Sequence, residues 1–240
     1  MAGHSKWKNI KHKKAASDAK KAKIFTKLLK EITVAARNGG GDPDANPRLR
    51  TLLEKARRVN MPQDNTVRAV KKGTGDLPGA QYEQHQYEGY GPHGLAIIID
   101  VLTDNKNRAI AELRHLFTKK GGSVAEGGAV SWMFERLGVI RGTGDNLSEE
   151  SIMEALLDYD VSTIEQEHSN WYITCTPQSL EGAKHSLQNL NFALEEAEVE
   201  WVAKEENYIE PAAEAHAVAI DFLETLEDLD DVQNVYSNLA

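Results

Sequence analysis

Cysteine is almost missing from this chain. Cys175 is the only one in 240 residues, which excludes a disulfide framework and any cysteine-rich zinc site. Long apolar runs are lacking too. The longest is Leu95-Ala96-Ile97-Ile98-Ile99, far short of the roughly 20 residues that cross a bilayer. Met1 to Lys14 is polar and basic, so a secretory signal peptide is not expected. The eight histidines form no H-E-x-x-H and no close pair, which argues against a catalytic zinc. No G-x-S-x-G elbow or Walker A loop occurs, and Glu227-Asp228-Leu229-Asp230-Asp231 lacks the spacing and glycine of an EF-hand. These absences predict no catalytic residue, metal, cofactor or small-molecule substrate, and no membrane partner. A soluble, cytoplasmic chain is the expectation.

What is present is charge, unevenly placed. The net charge of −9 combines two opposite parts. Met1 to Lys72 holds 19 Lys or Arg against 6 Asp or Glu, whereas Gly73 to Ala240 holds 9 against 31. Fields act over about a Debye length, near 8 to 10 Å in physiological salt, so a basic segment can hold a polyanion while an acidic remainder faces away. The competing reading is that the two parts neutralise each other within the molecule.

Residues 1–16 read as a basic arm in which Lys6, Lys8, Lys11, Lys13 and Lys14 surround Trp7. His4, Ser5 and these lysines suit phosphate oxygens. Trp7 either stacks on a base or packs against the first helix. From Ser17 to Asn38, Phe25, Leu28, Leu29, Ile32 and Ala36 recur at helical spacing. At about 100° per residue, Lys20, Lys23, Lys27 and Lys30 share roughly an 80° arc on the opposite face, a lysine ridge. Gly39-Gly40-Gly41 ends this helix, Asn46 and Pro47 open a second, and Pro62 opens a third that stops before Gly73. Residues 17–79 thus form a small basic helical domain with its linker.

The remainder alternates. Strands are predicted over Tyr82–Tyr90, Leu95–Thr103, Val130–Phe134, Gly138–Arg141, Val161–Glu165, Trp171–Thr176, Ala193–Val202 and Val232–Tyr236. Helices are predicted from an Asp104 cap to Lys120, from a Ser148 cap to Tyr159, and over Pro177–Leu190 and Pro211–Leu226. Mixed order with hairpins predicts an α+β multidomain chain: a three-helix basic bundle followed by two small α+β units. Lys106 and Arg108 stand in a first helical turn, where the dipole disfavours cations, so an anion contact is predicted there alongside simple exposure. Gly89-Tyr90-Gly91-Pro92-His93-Gly94 matches the dinucleotide pattern G-x-G-x-x-G. That pattern needs a following helix to hold the pyrophosphate; here an apolar strand follows. The loop reads as a strand connection, in which Gly91 has positive φ or a close backbone neighbour. A nucleotide-dependent enzyme is the least favoured reading.

Ala2-Gly3-His4-Ser5-Lys6-Trp7, Asn9-Ile10-Lys11-His12, Tyr87-Glu88-Gly89-Tyr90-Gly91-Pro92, Thr103-Asp104-Asn105-Lys106-Asn107-Arg108 and Leu226-Glu227-Asp228-Leu229-Asp230-Asp231 closely resemble the YebC family, which includes mitochondrial translational activators. The resemblance covers essentially the whole chain. It implies that the third domain, residues 136–203, is inserted into the second, residues 80–135 plus 204–240. It implies no enzyme activity. Family members have been described as DNA-binding transcriptional regulators and as translation factors binding RNA at the ribosome. Both roles predict a nucleic-acid partner, DNA first and ribosomal RNA as the alternative.

Overall fold

The computed structural model describes residues 18–144 and 147–240, with side chains in the first helix from Lys21 onward. In chain order the elements are α1 (Asp18–Gly39), α2 (Pro47–Arg58), α3 (Gln63–Thr74), β1 (Glu83–Tyr90), β2 (Ala96–Thr103), α4 (Lys106–Lys119), β3 (Ser123–Ala125), β4 (Phe134–Thr143), α5 (Glu149–Ala155), β5 (Val161–Glu167), β6 (Asn170–Cys175), α6 (Leu180–Asn189), β7 (Ala193–Ala203), α7 (Ala213–Glu227) and β8 (Val232–Ser237). The architecture is α+β, with a helical bundle preceding two four-stranded antiparallel sheets. Ser131–Asn207 forms one compact unit; the chain up to Val130, with Tyr208–Ala240, forms the other. Among the described residues, no helix is long and apolar enough to cross a membrane.

The bundle follows the apolar spacing of its helices. Leu28, Ile32, Ala35 and Ala36 of α1 meet Leu49, Leu52 and Ala56 of α2 and Ala69 of α3 in one buried cluster. Asn46 caps α2 by accepting from the Leu49 N–H, and its amide donates to the Ala35 and Gly40 carbonyls. One buried side chain therefore starts α2 and secures the end of α1. The third helix departs from expectation. It begins after Pro62, runs through Gly73 to Thr74, and stops at left-handed Gly75. Gly73 is a packing residue rather than a stop, because a Cβ there would strike the Thr33 carbonyl and Ala36.

In the same unit, β3-β1-β2-β8 form a sheet. Ile97, Ile99 and Val101 of β2 pack on Leu113, Leu116 and Phe117 of α4 and Phe222, Leu223 and Leu226 of α7. Phe117 and Phe222 meet edge to face, centroids 5.1 Å apart. Asn105, not Asp104, caps α4 by accepting from the Arg108 N–H. Strand β3 was not expected; three residues are too few for periodicity to show.

The second unit orders its strands β5-β6-β4-β7, the split βαβ arrangement in which two helices cover one sheet face. Ile152, Leu156, Ala183 and Leu187 close that face over Ile140, Trp171 and Ile173. The strand expected at Val130–Phe134 is replaced by a 3-10 turn, Ser131–Met133, with β4 starting at Phe134. The reason is pairing: Phe134 faces Ala203, the last residue of β7, so no partner strand extends further. The helix expected from Ser148 to Tyr159 ends at Ala155, and the one expected over Pro177–Leu190 spans Leu180–Asn189.

Candidate nucleic-acid interface

Three lysines of the α1 ridge, Lys23, Lys27 and Lys30, turn onto the protein's own backbone. Lys27 Nζ donates to the Glu227 carbonyl at 2.6 Å, Lys23 Nζ to the Asp228 carbonyl at 3.2 Å, and Lys30 Nζ to the Asp230 carbonyl at 2.8 Å. These carbonyls lie at and just past the C-terminus of α7. A helix end carries unsatisfied carbonyls and about half a negative charge, and α7 has no basic residue in its own last turn. The lysines of α1 fill that role. This corrects the expectation of an open ridge: for these three lysines, charge is answered within the molecule. The Lys20 side chain lies outside the described residues, as do His4, Ser5, Lys6, Trp7, Lys8, Lys11, Lys13 and Lys14.

Asp231 is the centre of the same contact. Its carboxylate receives Lys30 at 2.7 Å, Arg108 at 2.7 Å and the Thr103 hydroxyl at 2.8 Å, with 6% of its side chain exposed. Burial alone would raise its pKa, but the hydrogen bonds from Lys30, Arg108 and Thr103 prevail and hold the carboxyl below its usual range. Arg108 also pairs with Asp104 at 2.9 Å. Both ion-pair partners of Arg108 are thus the protein's own carboxylates. Lys106 is exposed and forms no ion pair among the described residues, so the structure separates the two cations that the sequence grouped.

A different cationic face was missed by sequence reading. Arg48, Arg50 and Arg57 on α2, and Arg68, Lys71 and Lys72 on α3, are exposed and form no ion pair among the described residues. Helices α2 and α3 are joined by a four-residue turn, Val59–Pro62, in which Asn60 takes φ +57° and Met61 N–H bonds the Ala56 carbonyl. Gln63 and Asp64 stand exposed in the first turn of α3, followed one turn later by Val67 and Arg68. Between the helices lies a groove of about 440 Å³, floored by Leu53, Ala56 and Met61 and rimmed by Arg57, Gln63 and Lys71. The signal was available: α2 carries five basic residues against a single acid, Glu54. On an amphipathic helix, however, such charge resembles any solvated face.

The glycine loop is a strand connection. Between β1 and β2 stands one 3-10 turn, Pro92–Gly94, with left-handed His93 and Gly94 and no helix start for a pyrophosphate. The positive φ expected at Gly91 is corrected, whereas a close backbone neighbour is present in Gly122, where an added Cβ would meet the Gly91 Cα at 3.1 Å. The φ of Gly91, −80°, is ordinary, and the nearest atoms to a Cβ added at Gly91 would be side chains, Ile97 Cδ1 at 3.0 Å and Phe222 Cε1 at 3.1 Å. Cys175 is buried, which pushes its thiol up to about 11, far from a reactive thiolate. Among the described residues, no group of three or more His, Cys, Asp or Glu is arranged to hold a metal ion.

Two family models match this arrangement in sequence. Residues 5–76 match the TACO1/YebC protein N-terminal domain, and residues 82–239 match the TACO1/YebC second and third domain. The chain belongs to the TACO1/YebC family. It is 47% identical over 240 residues to a probable transcriptional regulatory protein of Chlorobium phaeobacteroides and 48% to one of Chlorobaculum parvum, covering 100% of this chain and 95% of each relative. A crystal structure of a conserved hypothetical protein from Aquifex aeolicus superposes with a TM-score of 0.84 at 40% identity, over 95% of this chain and 93% of that one. The family thus accounts for both the bundle and the sheets. The names of the bacterial relatives describe regulation.

Proposed function

We propose that the chain is a non-catalytic, nucleic-acid-binding regulator of gene expression, docking on phosphates through the exposed α2–α3 face and the basic residues 1–16. The observation that carries this reading is the set of six cations on α2 and α3 without ion-pair partners among the described residues. Phosphate contacts supply most of the affinity for such a partner, through release of counterions. The DNA-binding, transcriptional reading draws support from the names of the relatives. It also draws on the α2–turn–α3 arrangement, because helix–turn–helix readers present the first turn of their second helix to base edges. Here that turn offers Gln63 and, one turn on, Arg68. A specific feature favours the second reading, a ribosome-associated translation factor on RNA. The cations are spread over both helices instead of converging on one, which suits the phosphate surface of a folded RNA.

The test is a salt titration of the full chain against duplex DNA and structured RNA. On duplex DNA, each phosphate contact contributes a slope of about −0.9 in log K against log salt. Deletion of Met1 to Lys14 removes five lysines and is expected to flatten the slope; an unchanged slope removes the arm from the interface. Co-sedimentation with ribosomes that is lost on RNase treatment selects the RNA reading. Sequence-dependent duplex binding, relaxed by Gln63→Ala or Arg68→Ala, selects the DNA reading.

A further inference from the structure

We propose that strand β5 and the groove beside it bind an extended lysine- or arginine-rich peptide of a partner protein by strand addition. Strand β5 is outermost in its sheet and pairs only with β6, so its outer backbone has no ladder partner among the described residues. Edge strands are commonly guarded by lysine or proline; β5 contains neither. A register shift between Val161 and Thr163 leaves Thr163–Glu167 as the stretch in regular register with β6. Beside the start of the strand, at Val161–Ile164, lies a groove of about 350 Å³ lined also by Met153, Leu156 and Leu157. Met153 is 51% exposed and Leu157 76% exposed, the most of any large apolar side chain among those described.

Backbone pairing supplies affinity in such complexes, while alternate side chains of the peptide enter the neighbouring groove. Charge selects the occupant. From Gly142 to Ala183 the sequence has nine Asp or Glu and no Lys or Arg. A nucleic acid is repelled from this edge, and an acidic peptide likewise. A cationic strand with an apolar residue at every second position satisfies the open backbone, the groove and the field together.

The experiment uses the full chain and a fluorescent alternating lysine–valine peptide of about eight residues, near the usual length of a strand. Saturable binding is expected, weakened by salt. It should fall roughly tenfold or more in Leu157→Lys, the worth of one leucine withdrawn from a contact. A peptide N-methylated at every second residue is expected to lose binding to the unaltered chain, which separates strand addition from charge attraction without altering the fold. Binding that survives both N-methylation and Leu157→Lys overturns the proposal. So does equal binding of a glutamate–valine peptide. If the chain alone dimerises and Leu157→Lys dissolves the dimer, a second copy occupies this edge and the partner-peptide proposal is overturned. Nucleic-acid affinity should not change in Leu157→Lys, so failure here is distinct from failure of the bundle's role.

Discussion

One bundle carries two basic faces, and they have opposite fates. On α1, Lys23, Lys27 and Lys30 meet carbonyls and two carboxylates, Asp228 and Asp231, of the α7–β8 turn, and their charge is consumed in joining helices to sheet. On α2 and α3, six exposed cations have no ion-pair partner among the described residues. Charge per residue does not separate these faces. What separates them is whether a helix C-terminus and a buried aspartate lie opposite, a property of the fold and not of the local sequence. Neutralisation within the molecule is therefore realised on α1, and the polyanion partner is proposed for the face on α2 and α3.

The largest expected effect separates binding from stability. Reversing Arg48, Arg50, Arg68 and Lys71 to Glu should weaken nucleic-acid binding by roughly a hundredfold or more and lower the salt slope by about 0.9 per lost duplex contact. Unfolding in urea should be little changed, because these side chains are exposed. Reversing Lys23, Lys27 and Lys30 should do the opposite, costing stability because carboxylates would then face carbonyls and Asp231. If the second variant stays folded and loses binding while the first retains it, the comparison is inverted.

Next in size is the aspartate itself. Asp231→Ala leaves Lys30 and Arg108 without their shared acceptor, and removing one partner of a buried pair typically costs about 3 kcal/mol at the lower end of its range. That end applies because Arg108 is 46% exposed on its side chain. Urea midpoints of the two proteins measure the loss. A midpoint unchanged in Asp231→Ala would make the cluster incidental to stability.

The same carboxylate gives a smaller, pH-dependent effect. Its pKa is lower in the folded protein than the ordinary 3.8, so its charge stabilises the fold above that value. The contribution is lost as pH falls through the folded pKa. The stability gap between the unaltered chain and Asp231→Asn should be full near neutrality and close below about pH 3.8, the ordinary value. A gap that widens on acidification contradicts the assignment.

Much of the fold was legible, for a local reason. Helical spacing identified α1 and its core face, and Asn46-Pro47 marked the start of α2, since capping and periodicity act within a few residues. Gly73 misled because a glycine reads as a stop, whereas here it allows α1 and α3 to approach closely. The candidate interface was less legible. Lys23, Lys27 and Lys30 are separated from their partners by about 200 positions, and no local pattern announces that contact. Arg48, Arg50 and Arg68 were passed over for the complementary reason, because an unanswered charge becomes visible only when every other charge has been placed.

The smallest effect isolates the outermost contact of that junction. Lys23 reaches both the Asp228 carbonyl, at 3.2 Å, and its carboxylate, at 3.1 Å, with side chains 40% and 63% exposed. Solvent screens such a pair, and exposed pairs are typically worth 0 to about 1 kcal/mol. Asp228→Asn removes the charge but keeps the carbonyl that Lys23 also uses. The expected change is below about 0.5 kcal/mol, and high salt should abolish it. Lys27→Met, by contrast, removes the donor to the Glu227 carbonyl, which sits at the end of the α7 dipole, and should cost more than Asp228→Asn at any salt concentration. Equal losses in the two variants would mean that α1 is held by general attraction to the acidic turn and not by capping of α7.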